Sequence, residues 1–127
     1  MKKIIVLLVL LFPGTVMIAQ DKKDVFDDIS QAFLTNDSQR IGNNLAQSID
    51  ISILTNDGTF GKPQATVLIK DFLQSNNVSS FTIKHKGSSN DLTQYAVCNM
   101  TSGQINWRVY ILVNKELKII QLQIEKE

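Results

Sequence analysis

The stretch I-S-I-L-T-N-D-G-T-F-G-K-P-Q-A-T-V-L-I-K-D-F-L, Ile51 to Leu73, contains the change of period on which the fold turns. From Ser48 onward the apolar residues alternate. Ile49, Ile51 and Ile53 fall on one face and Ser48, Asp50 and Ser52 on the other, which predicts a half-buried strand. Asn56-Asp57-Gly58 then predicts a turn, with Thr59-Phe60 opening a return strand. Pro63 suits the first turn of a helix, where its missing N–H costs nothing. Ala65, Leu68, Ile69 and Phe72 follow at i, i+3, i+4 and i+7, the pattern of an amphipathic helix.

Within that stretch, G-T-F-G-K-P-Q-A (Gly58 to Ala65) raises the question of a phosphate loop. A loop of the Walker kind needs four residues between its glycines and a Ser or Thr after the lysine. Here only Thr59 and Phe60 separate the glycines, and Pro63 supplies neither a hydroxyl nor an N–H. The glycines therefore serve the hairpin and the entry into the helix.

Upstream, Asp24 to Thr35 has a helical period, with Phe26, Ile29 and Phe33 on one face. Asp24 is placed to cap its N-terminus, and Asp27 and Asp28 suit the positive end of the helix dipole. Ser38 is expected to cap a shorter second helix that buries Ile41 and Leu45. Downstream, Ser79–Lys86, Leu92–Thr101, Ile105–Val113 and Leu117–Glu125 all read as strands joined by short turns, an antiparallel meander. In this reading Phe81, Ile83 and His85 share one face of the first of these strands. Trp107, Val109 and Ile111 share a face of the third, and Ile120, Leu122 and Ile124 point inward from the last.

The N-terminus reads as an export segment. Lys2 and Lys3 precede an apolar run from Ile4 to Phe12, Pro13-Gly14 break it, and Ala19 offers a cleavage site. Residues 1–19 are therefore expected to be a signal peptide, and residues 20–127 a single exported domain, periplasmic or secreted. The apolar run is well short of the roughly 20 residues a membrane span needs, so no stable span is expected after cleavage. With 13 basic and 12 acidic residues among 127, the net charge of +1 gives no polyanion-binding footprint. Aromatics make up only 7% and sit mostly at core-period positions, which also argues against nucleic-acid stacking. Cys98, the single cysteine, lies in an apolar strand pattern and reads as a core residue. The N-V-S at Asn77 and N-M-T at Asn99 fit the glycosylation pattern, a match common by chance, and carry no weight.

The element order is helix, helix, two strands, helix, four strands. Carried chiefly by Ile51 to Leu73, it resembles the nuclear transport factor 2-like superfamily, a cone-shaped α+β fold that includes ketosteroid isomerases, scytalone dehydratases and SnoaL-like cyclases. A short exported chain with D-V-F-D-D-I near its mature start is similar, more closely, to a family of exported bacterial proteins known only as a domain of unknown function. The resemblance implies a curved, cystatin-like antiparallel sheet wrapped around the N-terminal helices and the third helix. It implies a pocket at the open end of the cone, for which Phe26, Phe33, Phe72, His85, Trp107 and Ile120 are the lining candidates. It implies a homodimer through the opposite sheet face, where Tyr95, Val97, Arg108, Tyr110, Leu112 and Ile119 stand; Tyr and Arg are common at interfaces.

Chemistry in that pocket has little to draw on. Isomerases of the superfamily place a tyrosine on the first helix and an acid near the mouth. Here the inward positions are Phe26 and Phe33, and Asp50 lies on the polar face of its strand. His85 is the only histidine, flanked by Lys84 and Lys86, with no carboxylate at short spacing to orient it. One His and one Cys supply no metal set, and no cofactor is expected. The sequence reading is thus a non-catalytic domain that binds a small apolar ligand or an envelope protein partner. The alternatives are an isomerase- or dehydratase-like enzyme using His85 or Asp50, and a dimeric scaffold without ligand.

Overall fold

The computed structural model describes residues 24–127, so the expected signal peptide lies outside the described residues. The elements follow the predicted order: α1 (Val25–Leu34), α2 (Ser38–Asn43), β1 (Leu45–Ile53), β2 (Asn56–Gly61), α3 (Lys62–Ser75), β3 (Ser80–Ser88), β4 (Gln94–Ser102), β5 (Ile105–Val113) and β6 (Ile119–Lys126). The six strands form one curved, open sheet in the order β2-β1-β6-β5-β4-β3. β3 to β6 are the antiparallel meander, β1 joins β6 in parallel, and β2 closes the other edge as a hairpin with β1.

Local chemistry fixes the helices. Asp24 caps α1 through its carboxylate, which accepts from Phe26 N–H at 3.0 Å. Asp37, rather than the expected Ser38, caps α2 by accepting from Arg40 N–H at 3.1 Å. Asp28 ties the two helices together, taking Arg40 Nη2 at 2.6 Å and Asn44 Nδ2 at 3.0 Å. α3 opens on Gly61 with Pro63 in its first turn and buries Ala65, Ile69, Phe72 and Leu73 against the sheet. At the end of α1, Asn36 adopts a positive φ of 54°. Its amide clasps Val78 in both directions, at 2.8 and 3.3 Å, and fixes the run from α3 into β3.

Three further local readings differ in the structure. The β1–β2 turn is not Asn56-Asp57-Gly58 but Leu54-Thr55. Ile53 pairs with Asn56 and Ile51 with Gly58, so N-D-G lies inside the edge strand. The register follows the buried Ile49, Ile51 and Ile53 of β1, and an edge strand with solvent on one side tolerates poor strand formers. The other two corrections are β-bulges. In β3, Ile83 pairs with Cys98 but His85 pairs with Val97, which leaves Lys84 unpaired and breaks the alternation. In β6, Val113 pairs with Ile119 and Leu112 with Gln121, so Ile120 is the extra residue. Ile119 and Leu122 are buried while Ile120 is half-exposed, the reverse of the expectation for Ile119 and Ile120.

Candidate functional site

The inner side of the sheet, where a pocket is expected, is closed by aromatic packing. Phe72 on α3 meets Trp107 on β5 edge to face, with ring centroids 5.0 Å apart. Phe33 on α1 stacks on Phe81 of β3 at 4.8 Å. Phe26, Phe33, Phe72 and Trp107 are each no more than 3% exposed. The indole N–H of Trp107 donates to the buried Ser102 hydroxyl at 3.3 Å, so the ring's one polar atom is satisfied inside the core. Five of the better-formed surface grooves among the described residues, of about 140 to 400 Å³, are lined by none of these four aromatics. The candidates Phe26, Phe33, Phe72 and Trp107 are brought together, as core.

His85 and Ile120 do not join them. The Lys84 bulge turns His85 to the row of Val97, where it is exposed, and the bulge at Ile120 takes that side chain out of the interior. Asp50 is exposed on the outer side, accepts from Thr59 Oγ1 at 2.8 Å, and lines a shallow groove of about 250 Å³ with Ser52, Asp57, Gln121 and Gln123. Three strands separate β1 from β3, so Asp50 and His85 stand on the order of 15–20 Å apart and cannot act as an acid–base pair. Cys98 is fully buried, and burial pushes its thiol up to about 12, as befits an inert core residue. Among the described residues no group of three or more His, Cys, Asp or Glu gathers as a metal set.

The outer side is different. Tyr95, Val97, Tyr110 and Leu112 are all half-exposed on adjacent strands β4 and β5, with exposed Arg108 beside them. Tyr95 and Tyr110 lie near-parallel, with ring centroids 6.3 Å apart. Tyr95 lies flat across Gly87 of β3: a Cβ there would fall 2.6 Å from the ring, so only glycine admits this placement. Next to the pair, a groove of about 140 Å³ is lined by Val97, Arg108, Tyr110, Gln123 and Glu125. Charge is graded across the face. Asp50 and Asp57 stand at the β1–β2 side, Glu125 opposite Arg108 at the centre, and Lys84 on β3. The sequence signal for this face is the second alternation of β4 and β5, apolar where a solvated strand face would be polar.

The description "Domain of unknown function (DUF4783)" matches residues 26–125. The chain belongs to the DUF4783 family. A DUF4783 family protein from Bacteroides uniformis is similar at 23% identity and a TM-score of 0.74, covering 82% of this chain and 98% of its own. A protein described as "Rd1NTF2_04 with long sheet" has 14% identity and a TM-score of 0.66, covering 79% and 95%. A SnoaL-like protein of unknown function from Burkholderia thailandensis has 12% identity and a TM-score of 0.61, covering 80% and 91%. No curated protein matches the chain. This DUF4783 member thus has the nuclear transport factor 2-like α+β fold, and likeness at these identities speaks for the fold alone.

Proposed function

We propose that this DUF4783 protein is an exported, non-catalytic domain that works by association through its outer sheet face, with a second copy of itself as the first partner. The observation that carries the reading is the contrast of packing. The interior has its aromatics closed on one another, which argues against the small-ligand and enzyme alternatives, while Tyr95, Val97, Tyr110 and Leu112 remain half-exposed. Apolar patches of this kind, centred on Tyr and rimmed by Arg and Glu, are what interfaces bury.

Two copies suit the face. A two-fold contact presents the same patch from both subunits, so it needs self-complementarity. Half a turn about an axis along β5 at Tyr110 sets the Asp50–Asp57 side of one copy over the Lys84 side of the other. Export rests on the reading of residues 1–19. Equilibrium sedimentation of the chain from Gln20 tests the proposal. Expected are a dimer for the wild type and, for Tyr110→Arg, a monomer that still unfolds cooperatively and, unlike the wild type, at a midpoint independent of concentration. A wild type that stays monomeric at concentrations on the order of 100 μM would refute it.

A further inference from the structure

Leu92 and Leu117 are exposed at turn tips in the left-handed conformation, with φ of 70° and 66°. Leucine is doubly misplaced there. Its Cβ is strained at positive φ, where Gly or Asn is usual, and its side chain leaves apolar surface in water. The two turns are built alike. Asp91 accepts from Thr93 N–H and Oγ1, and Leu92 N–H donates to Ser89 C=O. Asn114 accepts from Glu116 N–H and Lys118 N–H, and Leu117 N–H donates to Asn114 C=O. Each leucine is thus held at the tip of a fixed turn and is not a floppy loop residue.

The register puts both tips at one end of the sheet. Gln94 pairs with Val113 and Val113 with Ile119, so the β3–β4 and β5–β6 turns project side by side. The chain also enters the fold at that end. Asp24, the first described residue, is paired at 2.5 Å with Lys86 of β3, two residues before the strand's last residue. In the sequence, the apolar run Ile4–Phe12 ends 12 positions before Asp24. Charges around the tips balance: Lys86, Lys115 and Lys118 against Asp24, Asp91 and Glu116.

We propose that this end of the domain rests on a bilayer surface, with Leu92 and Leu117 in the boundary between headgroups and acyl chains while residues 1–19 are attached. The inference rests on the reading of that segment as apolar export sequence. Contact is apolar rather than electrostatic, because the flanking charges cancel, and two leucines orient a chain already held by its N-terminus. Leu54 is an internal control: it is equally exposed with φ of 55°, but sits in the β1–β2 turn at the opposite end.

The test uses the full chain in phosphatidylcholine vesicles, with Leu92→Cys, Leu117→Cys and Leu54→Cys each carrying a thiol-linked fluorophore. Cys98 is buried and stays unlabelled. A lipid-borne quencher is expected to quench the probes at 92 and 117 at least about twofold more than the probe at 54. A Leu92→Asn/Leu117→Asn double variant, compatible with left-handed φ, is expected to lower vesicle partition roughly tenfold, and Leu54→Asn to leave it unchanged. If the full chain does not float with vesicles, the reading of residues 1–19 fails and the inference with it. If it floats but all three probes are quenched alike, or the double variant partitions like the wild type, only the bilayer-facing tip is overturned.

Discussion

The two faces of the sheet are read off the same strands yet solve opposite problems. On the inner face, Trp107 meets Phe72 of α3, Val109 and Ile111 lie in the same buried cluster as the inward residues of α1 and α3, and Phe33 stacks on Phe81. On the outer face, one residue along the same strands, Tyr110 and Leu112 meet no helix among the described residues and stay half-exposed beside Arg108. Strand alternation guarantees two faces and says nothing about how many layers cover them. An apolar inner row therefore reports the core, whereas an apolar outer row reports something the described residues do not supply.

That comparison is broken most easily at the inner face. Trp107→Ala removes the ring packed on Phe72 and is expected to cost about 3–5 kcal/mol, read by urea denaturation. The matching truncation outside, Tyr110→Ala, is expected to cost a monomer under about 1 kcal/mol, because its ring keeps water on one side. Equal costs would mean that the faces are not distinct. Ser102→Ala tests the one polar contact of the inner face: it strands the Trp107 N–H and is expected to cost about 1–2 kcal/mol.

A smaller effect comes at the joint between α1 and β3. Burial raises the pKa of Asp24, but the hydrogen bond from Lys86, the N–H of Phe26 and the charge of Lys86 outweigh it and leave the carboxyl lowered. A carboxyl lowered by folding stabilises the fold above its unfolded pKa, near 3.8, and the contribution is lost as pH falls below that value. Asp24→Ala is thus expected to cost about 1 kcal/mol at neutral pH, mostly through the lost cap, with the gap to wild type narrowing below about pH 4. Leu54→Asn, which relieves a left-handed leucine outside both faces, is expected to raise stability by up to about 1 kcal/mol in a thermal melt.

The order and kind of the elements are legible in the sequence because each carries its own period: two in Ile49 to Ile53, between three and four in Ala65 to Phe72. β5 is legible to the residue, Ile105–Val113, since nothing interrupts its alternation. What escapes is the single inserted residue. The bulges at Lys84 and Ile120 change no composition and no apolar count, yet the first turns His85 to the other face and the second exchanges Ile119 and Ile120 while leaving Leu122 and Ile124 inward, which moves His85 and Ile120 out of the expected pocket. The displaced β1–β2 turn is hidden for a related reason: N-D-G is the stronger turn signal, but the pairing of three buried isoleucines outweighs it and forces Leu54 to positive φ. For the site, Tyr95, Val97, Arg108, Tyr110 and Leu112 are placed together as the alternation predicts. The filling of the cone depends on ring-to-ring contacts between α1, α3 and the sheet, which no local pattern encodes.

A sealed interior and a working exterior are tested together by a crystal structure of the chain from Gln20. Expected are Phe72 against Trp107 with nothing between them, and a two-fold contact that covers Tyr95 and Tyr110. A bound apolar molecule parting Phe72 from Trp107, with the two tyrosines facing solvent, would contradict both.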